Sequence, residues 1–249
     1  MTVFYFSGTG NSKYIAEQFC GHMDAKCFSI EENHDFATLI KDEKTVGFCY
    51  PVYGSRVPKI MREFVVKHVK LLGDKELIIF CTQMIFSGDG ARALTDLFPN
   101  RSANVIYAEH IYMPNNVCNL FLTPLGSDKK VEKSIINANR KMKNMCDNIK
   151  SGKQIRRGFN PFSRFIGLFQ GLAFPVLERK AMSKVWIDKC CNRCLLCVSC
   201  CPMKNFEFDD GKVITKNNCM MCYRCINNCP QKAIAVFLRG KVKRQYNFH

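Results

Sequence analysis

The sequence predicts an α/β chain in two parts: a doubly wound, five-stranded parallel sheet, then a smaller α+β unit organised by cysteines. Three observations predict it. Strand-like runs alternate with amphipathic segments through the first 150 residues, a loop rich in glycine and hydroxyls follows the first run, and ten of the 16 cysteines fall between Cys190 and Cys229. A chain of 249 residues that is 47% hydrophobic has material for one sizeable core and a second, smaller one.

The expected strands are 3–6 (VFYF), 26–30 (KCFSI), 45–50 (TVGFCY), 76–82 (ELIIFCT) and 104–109 (NVIYAE). They are short runs rich in Val, Ile, Phe and Tyr, as strands buried on both faces require. Helix-like stretches at 11–23, 35–41, 58–71, 89–98 and 128–150 supply the crossovers between them. Residues 1–150 are therefore one domain.

Residues 151–189 differ in composition, with 8 Lys/Arg against 2 acids around the Phe-rich run GFNPFSRFIGLFQGLAFP. They are expected to form a segment docked between the two domains, with an interfacial amphipathic helix as the alternative. The apolar part from Phe165 to Leu177 is far short of the roughly 20 residues that span a bilayer. Residues 190–249 make the second domain, ending in a basic tail from Arg239 that is expected to be solvated. Of the formal charge of +16, residues 1–150 carry +3 and residues 151–249 carry +13. No secretory signal is expected, because residues 2–6 are already strand-like; the expected compartment is the cytoplasm, where so many cysteines point to metal or cluster ligation rather than disulfides.

Within 190–230 a repeat of period 28 is visible: Cys191, Cys194, Cys197 and Cys201 recur as Cys219, Cys222, Cys225 and Cys229, and Pro202 recurs as Pro230. Paired CxxC motifs also build zinc sites, and a basic zinc protein would be a candidate for nucleic acid. Three cysteines at consecutive two-residue gaps with a fourth before proline, twice over, instead favour two [4Fe-4S] clusters. Cys190 and Cys200 fit neither register and are read as spare thiols. Between the runs, NFEFDDGKVI has a turn signal at Asp210-Gly211 and reads as a hairpin. From about 190 to 238 the chain resembles bacterial two-cluster ferredoxins. The resemblance implies that the fourth cysteine of each run serves the opposite cluster, giving Cys191, Cys194, Cys197 and Cys229 to one and Cys219, Cys222, Cys225 and Cys201 to the other.

The loop Ser7-Gly8-Thr9-Gly10-Asn11-Ser12 lies between the first strand and first helix, where backbone N–H groups, hydroxyls and a helix N-terminus can converge on a phosphate. It has neither the Walker A nor the GxGxxG spacing. Two further loops, 50–58 (YPVYGSRVP) and 81–91 (CTQMIFSGDGA), fall at the C-terminal ends of strands three and four, where parallel sheets bind ligands. The first loop resembles the FMN phosphate loop of flavodoxins, and the domain is expected to be flavodoxin-like. That resemblance implies that Pro51, Tyr53 and Gly54, with Phe86, Ser87, Gly88, Asp89 and Gly90, flank the flavin ring.

The whole chain is similar to the flavodoxin-ferredoxin fusion proteins of anaerobic bacteria, which implies FMN and two [4Fe-4S] clusters. The expected function is electron transfer between clusters and FMN, linking a ferredoxin pool to a redox partner. A flavin-dependent reductase of a small substrate is the alternative, and a non-redox binder with structural clusters a minor one. The cationic second half suits an acidic redox protein such as ferredoxin. A small-molecule acceptor and a peripheral membrane contact are further candidates, and nucleic acid is disfavoured. The five histidines are scattered and no Ser/His/Asp or paired-carboxylate arrangement is visible. Any oxidoreductase chemistry then belongs to the cofactors.

Overall fold

The computed structural model describes residues 1–119, 125–236, 240, 242–246 and 248. Strands β1 (Thr2–Tyr5), β2 (Lys26–Ser29), β3 (Thr45–Pro51), β4 (Glu76–Gln83) and β5 (Asn104–Tyr112) form one parallel sheet in the order β2-β1-β3-β4-β5. The chain reverses its direction of winding beside β1, which opens a crevice at the C-terminal ends of β1 and β3. Helices α1 (Asn11–Met23), α2 (Phe36–Lys41) and α3 (Lys59–Leu72) make the first three crossovers, a 3₁₀ region makes the fourth, and α4 (Asp128–Lys150) follows β5.

Two cores follow from this layering. Phe4, Phe48, Leu77 and Ile79 pack under α3 residues Met61, Phe64 and Val65, while Val3, Ile78 and Phe80 meet Ile15 and Phe19 of α1 and Met142 of α4. The stretch 89–98 is not an α-helix: residues Arg92–Leu97 form a 3₁₀ segment pinned by Asp89 and Asp96 on Arg92. β5 runs three residues beyond its expected end, to Tyr112.

Residues 151–189 contribute more than a connection. Ala108 N–H donates to Ile155 O at 2.7 Å and Arg157 N–H to Ala108 O at 2.9 Å, so the chain first covers the free edge of β5. Helix α5 (Pro161–Ser183) follows, capped by Asn160, and β6 (Val185–Ile187) then pairs antiparallel with β9 (Ile234–Val236). Between them lie α6 (Leu196–Cys200), the hairpin β7 (Phe206–Asp209) and β8 (Lys212–Thr215), and α7 (Arg224–Asn228). A third small core of Phe206, Ile226, Ile234 and Val236 packs among the cysteines. The tail is not simply solvated: Tyr246 is buried and Phe248 meets the Tyr14 ring at 4.8 Å. Among the described residues no helix is long and apolar enough to cross a membrane.

Candidate functional site

A cavity of about 460 Å³ opens at the C-terminal edge of the sheet. The loops after β1, β3, β4 and β5 all reach it, α5 contributes Gln170, and Met221 and Tyr223 of the second cysteine run close one side. Of the residues expected to hold FMN, Ser7, Gly8, Thr9, Asn11, Ser12, Pro51, Tyr53, Gly54, Phe86 and Ser87 line it. The Tyr53 hydroxyl is buried and has no hydrogen-bond partner among the described residues. An unpartnered buried donor in a cavity wall is what a polar ligand would satisfy.

The loop after β1 is held from several sides. Ser7 Oγ accepts the Gly10 N–H at 3.1 Å, Thr9 Oγ1 accepts from Asn116 Nδ2 at 2.8 Å, and Ser12 Oγ lies 2.7 Å from Thr82 Oγ1. Asn11 donates to Pro114 O at 2.9 Å and accepts from the Tyr246 hydroxyl at 2.5 Å, and Phe248 N–H reaches Thr9 O. Arg224 acts on the backbone itself: its guanidinium donates to Ser7 O at 2.6 Å and Gly8 O at 3.1 Å while pairing with Glu31. In a planar trans peptide the N–H points opposite to the C=O. Holding those two carbonyls outward therefore turns the Gly8 and Thr9 N–H groups the other way. N–H groups so turned, beside a helix N-terminus, are the kind of donors that an anion takes up. Gly8 has no room for a side chain, since a Cβ there would meet Cys222 O at 2.5 Å.

Four expected residues do not line the cavity. Gly10 faces a neighbouring cleft beside Lys13, and its φ of 101° lets the loop pass under Phe248. Gly88 lies against Ser163 and Gly167 of α5, Asp89 is buried in an ion pair with Arg92, and Gly90 packs under Val52. Gly88 and Asp89 seat α5 on the sheet edge. Conversely, sequence reasoning missed Thr82, Gln83, Met113 to Val117, Gln170, Met221 and Tyr223. The loop after β5 carried a signal, because every parallel strand's C-terminal end borders the crevice, but the strand was expected to stop too early.

The cysteine unit repeats in its backbone as well as its sequence. Leu195 and Tyr223, each with φ 62° and ψ 7°, precede α6 and α7, and Arg193 pairs with Met221, and Lys204 with Lys232, as left-handed positions 28 residues apart. Alternation of right- and left-handed residues turns successive N–H groups to one side, the concavity that anionic groups occupy. Asn205 N–H donates to Cys201 Sγ and Ala233 N–H to Cys229 Sγ, each at 3.3 Å. Cys191, Cys194 and Cys197 line one small cavity together with Cys229, lying around its wall rather than meeting at a point. Burial first, and then the neighbouring Cys201, raise the Cys219 thiol, and burial with Cys219 and Cys201 beside it pushes Cys222 up to about 12. Among the described residues no group of three or more His, Cys, Asp or Glu is placed to hold a metal ion. Cys190 is exposed and Cys200 half-buried, with the Cys200 carbonyl accepting from Arg224 at 3.1 Å.

Comparison with known proteins places the first domain. The chain is similar in structure to a flavodoxin from the domain Archaea (14% identity, TM-score 0.40, covering 60% of this chain and 97% of that one). It is similar also to the two-electron reduced flavodoxin of Megasphaera elsdenii (17%, 0.39, 56% and 98%) and to a WrbA-like flavodoxin of Agrobacterium tumefaciens (16%, 0.40, 61% and 98%). No curated protein matches it significantly. The model of the flavodoxin domain family matches residues 2–145, more than half of the chain, with the β1 loop and the ends of β3, β4 and β5 inside the match. The chain thus belongs to the flavodoxin domain family.

Proposed function

We propose that this protein is an electron-transfer iron-sulfur flavoprotein, with FMN in the sheet-edge cavity and two [4Fe-4S] clusters in the cysteine unit. A flavin exchanges one or two electrons and a cubane one, so the pair supplies single-electron transfer with a two-electron reservoir. The observation that carries the reading is the shared wall: Met221 and Tyr223, between the cysteines of the second run, line the same cavity as the loop after β1, which packs against them at Gly8 and Cys222. The chain thereby holds its two sites next to each other.

The residue types suit both groups. Gly8 and Thr9 N–H groups and the start of α1 would hold the phosphate, and the orphaned Tyr53 hydroxyl and the Gln83 to Ser87 segment would border the ring. Cys229 joining Cys191, Cys194 and Cys197 around one cavity supports the crossed ligand set, and the N–H donors to Cys201 and Cys229 would stabilise thiolate charge there. The excess of +13 over residues 151–249 suits an acidic redox protein as partner, since opposite charge raises encounter rates. Anaerobically reconstituted protein is expected to hold about eight iron atoms and one FMN per chain, by iron, sulfide and flavin quantification. Stoichiometric zinc without iron would reject the clusters, and iron without flavin would reject the cavity as an FMN site.

A further inference from the structure

Helix α5 carries its apolar residues on the wrong side for a buried helix. Its inner face is mostly small or polar, with one buried ring: Gly167 lies against Asp89, Gly171 against Arg56, Gln170 donates to Phe86 O at 3.1 Å, and Phe174 packs on Gly54. Its outer face sets Phe162, Phe165, Phe169, Leu172 and Val176 in steps of three and four, with Leu168 beside them. All six are between 45% and 73% exposed. The patch continues off the helix, since the Phe86 ring stacks near Phe162 at 6.4 Å and Ile85 beside it is 64% exposed.

We propose that this face of α5 docks the protein, lying flat, on an anionic lipid surface. Charge supports that occupant. Exposed Arg156, Arg157 and Arg164 bracket the stripe at one end and Arg179, Lys180 and Lys184 at the other, while the helix's single acid, Glu178, is turned inward onto Arg62 at 2.9 Å. An apolar stripe of Phe and Leu rimmed by Lys and Arg is the composition of an interfacial helix. A second copy of this face would bring the same cations together and be repelled. A protein partner would meet a stripe with no hydrogen-bonding side chain in it, whereas specific protein interfaces average about one hydrogen bond per 100–200 Å². Docking through the outer face leaves the inner face on the cavity loops, and it stands apart from the electron-transfer reading because it needs no cofactor.

The test is co-sedimentation of the full chain with vesicles of phosphatidylcholine alone or with phosphatidylglycerol added. Binding to the anionic vesicles, weakened as salt is raised, is expected, with little binding to the neutral ones. The triple variant Phe165→Ser, Phe169→Ser, Leu172→Ser, which changes only exposed positions, should lose about tenfold or more in partition while its melting temperature holds. Arg179→Glu with Lys180→Glu should weaken binding to anionic vesicles alone. The proposal is overturned if neither vesicle is bound or if the triple variant binds as before. It is equally overturned if the triple variant abolishes a dimer seen by sedimentation velocity, or slows reduction by an acidic ferredoxin while vesicle binding is unchanged.

Discussion

His110 sits on β5 with 4% of its surface exposed, and its Nε2 accepts the Ala91 N–H at 3.1 Å, so the neutral ring has a structural task. Burial first, and then the Lys141 and Arg157 charges, lower its pKa from 6.5 to about 4. In the unfolded chain the ring takes up a proton as pH falls through 6.5; in the folded chain it does so only near 4. The unfolded state therefore binds more protons in that window, and stability present above pH 6.5 is lost as pH falls toward 4. Between pH 7 and pH 5 the loss from this residue is about 2 kcal/mol. Urea unfolding at both pH values should show that increment in the native chain and a clearly smaller one in His110→Gln. Equal increments would mean that His110 does not report its burial. Nothing in the sequence set His110 apart from the other four histidines, because its shift arises from β5 continuing past residue 109 and bringing it beneath the 3₁₀ segment. The repeat of the two cysteine runs was legible for the opposite reason. Their spacing of two and three residues fixes local backbone geometry, and both runs fold alike, down to matching left-handed residues 28 positions apart.

At the scale of elements, the five strands and the helices α1 to α4 were readable because each has its own periodicity, whereas α5 was foreseen only through the alternative of an interfacial helix. Its contact face is largely glycine and glutamine, with Phe174 its one buried ring, and its exposed face is phenylalanine and leucine, so the usual rule that apolar residues face inward does not find it. The cost of that inverted face is a strict need for small residues at the contact. A Cβ on Gly167 would stand 2.3 Å from the Asp89 carboxyl carbon, and Asp89 cannot yield because Arg92 holds it. Gly167→Leu should therefore lift α5, withdraw Gln170 from Ser55 and Phe86, and open the cavity, with FMN affinity falling by about tenfold. Fluorescence titration of FMN into the apoprotein measures this. Gly21→Leu is the control, since nothing lies within 4 Å of its Cβ position on α1. A Gly167→Leu affinity equal to that of the control would detach α5 from the site.

At the scale of the molecule, the question is how the cysteine unit and the sheet domain act on each other, and Arg224 is where they meet. It belongs to α7, directly before Cys225, and besides one bond to Cys200 O its side chain is spent on the sheet domain: two loop carbonyls, Glu31 just after β2, and the Phe6 ring at 5.8 Å. No sequence pattern hinted at this, because contacts between residues 7 and 224 are set by docking and leave no local trace. With Met in place of Arg224 the Ser7 and Gly8 carbonyls lose their donors, and the peptides can rotate their N–H groups away from the cavity. FMN affinity should drop by about tenfold or more. Iron and sulfide content should be unchanged, since no thiol is touched. Glu31→Gln separates orientation from charge: it removes the ion pair but leaves both carbonyl bonds, and its affinity should stay within about threefold of the native protein. If Arg224→Met binds FMN as tightly as the native chain, or if Glu31→Gln is equally impaired, the carbonyl clamp does not set the loop. The order expected, with Arg224→Met far weaker than Glu31→Gln, would instead mean that a residue of the cysteine unit completes the flavin site. The two domains would then have to be present and docked together for either cofactor to work with the other.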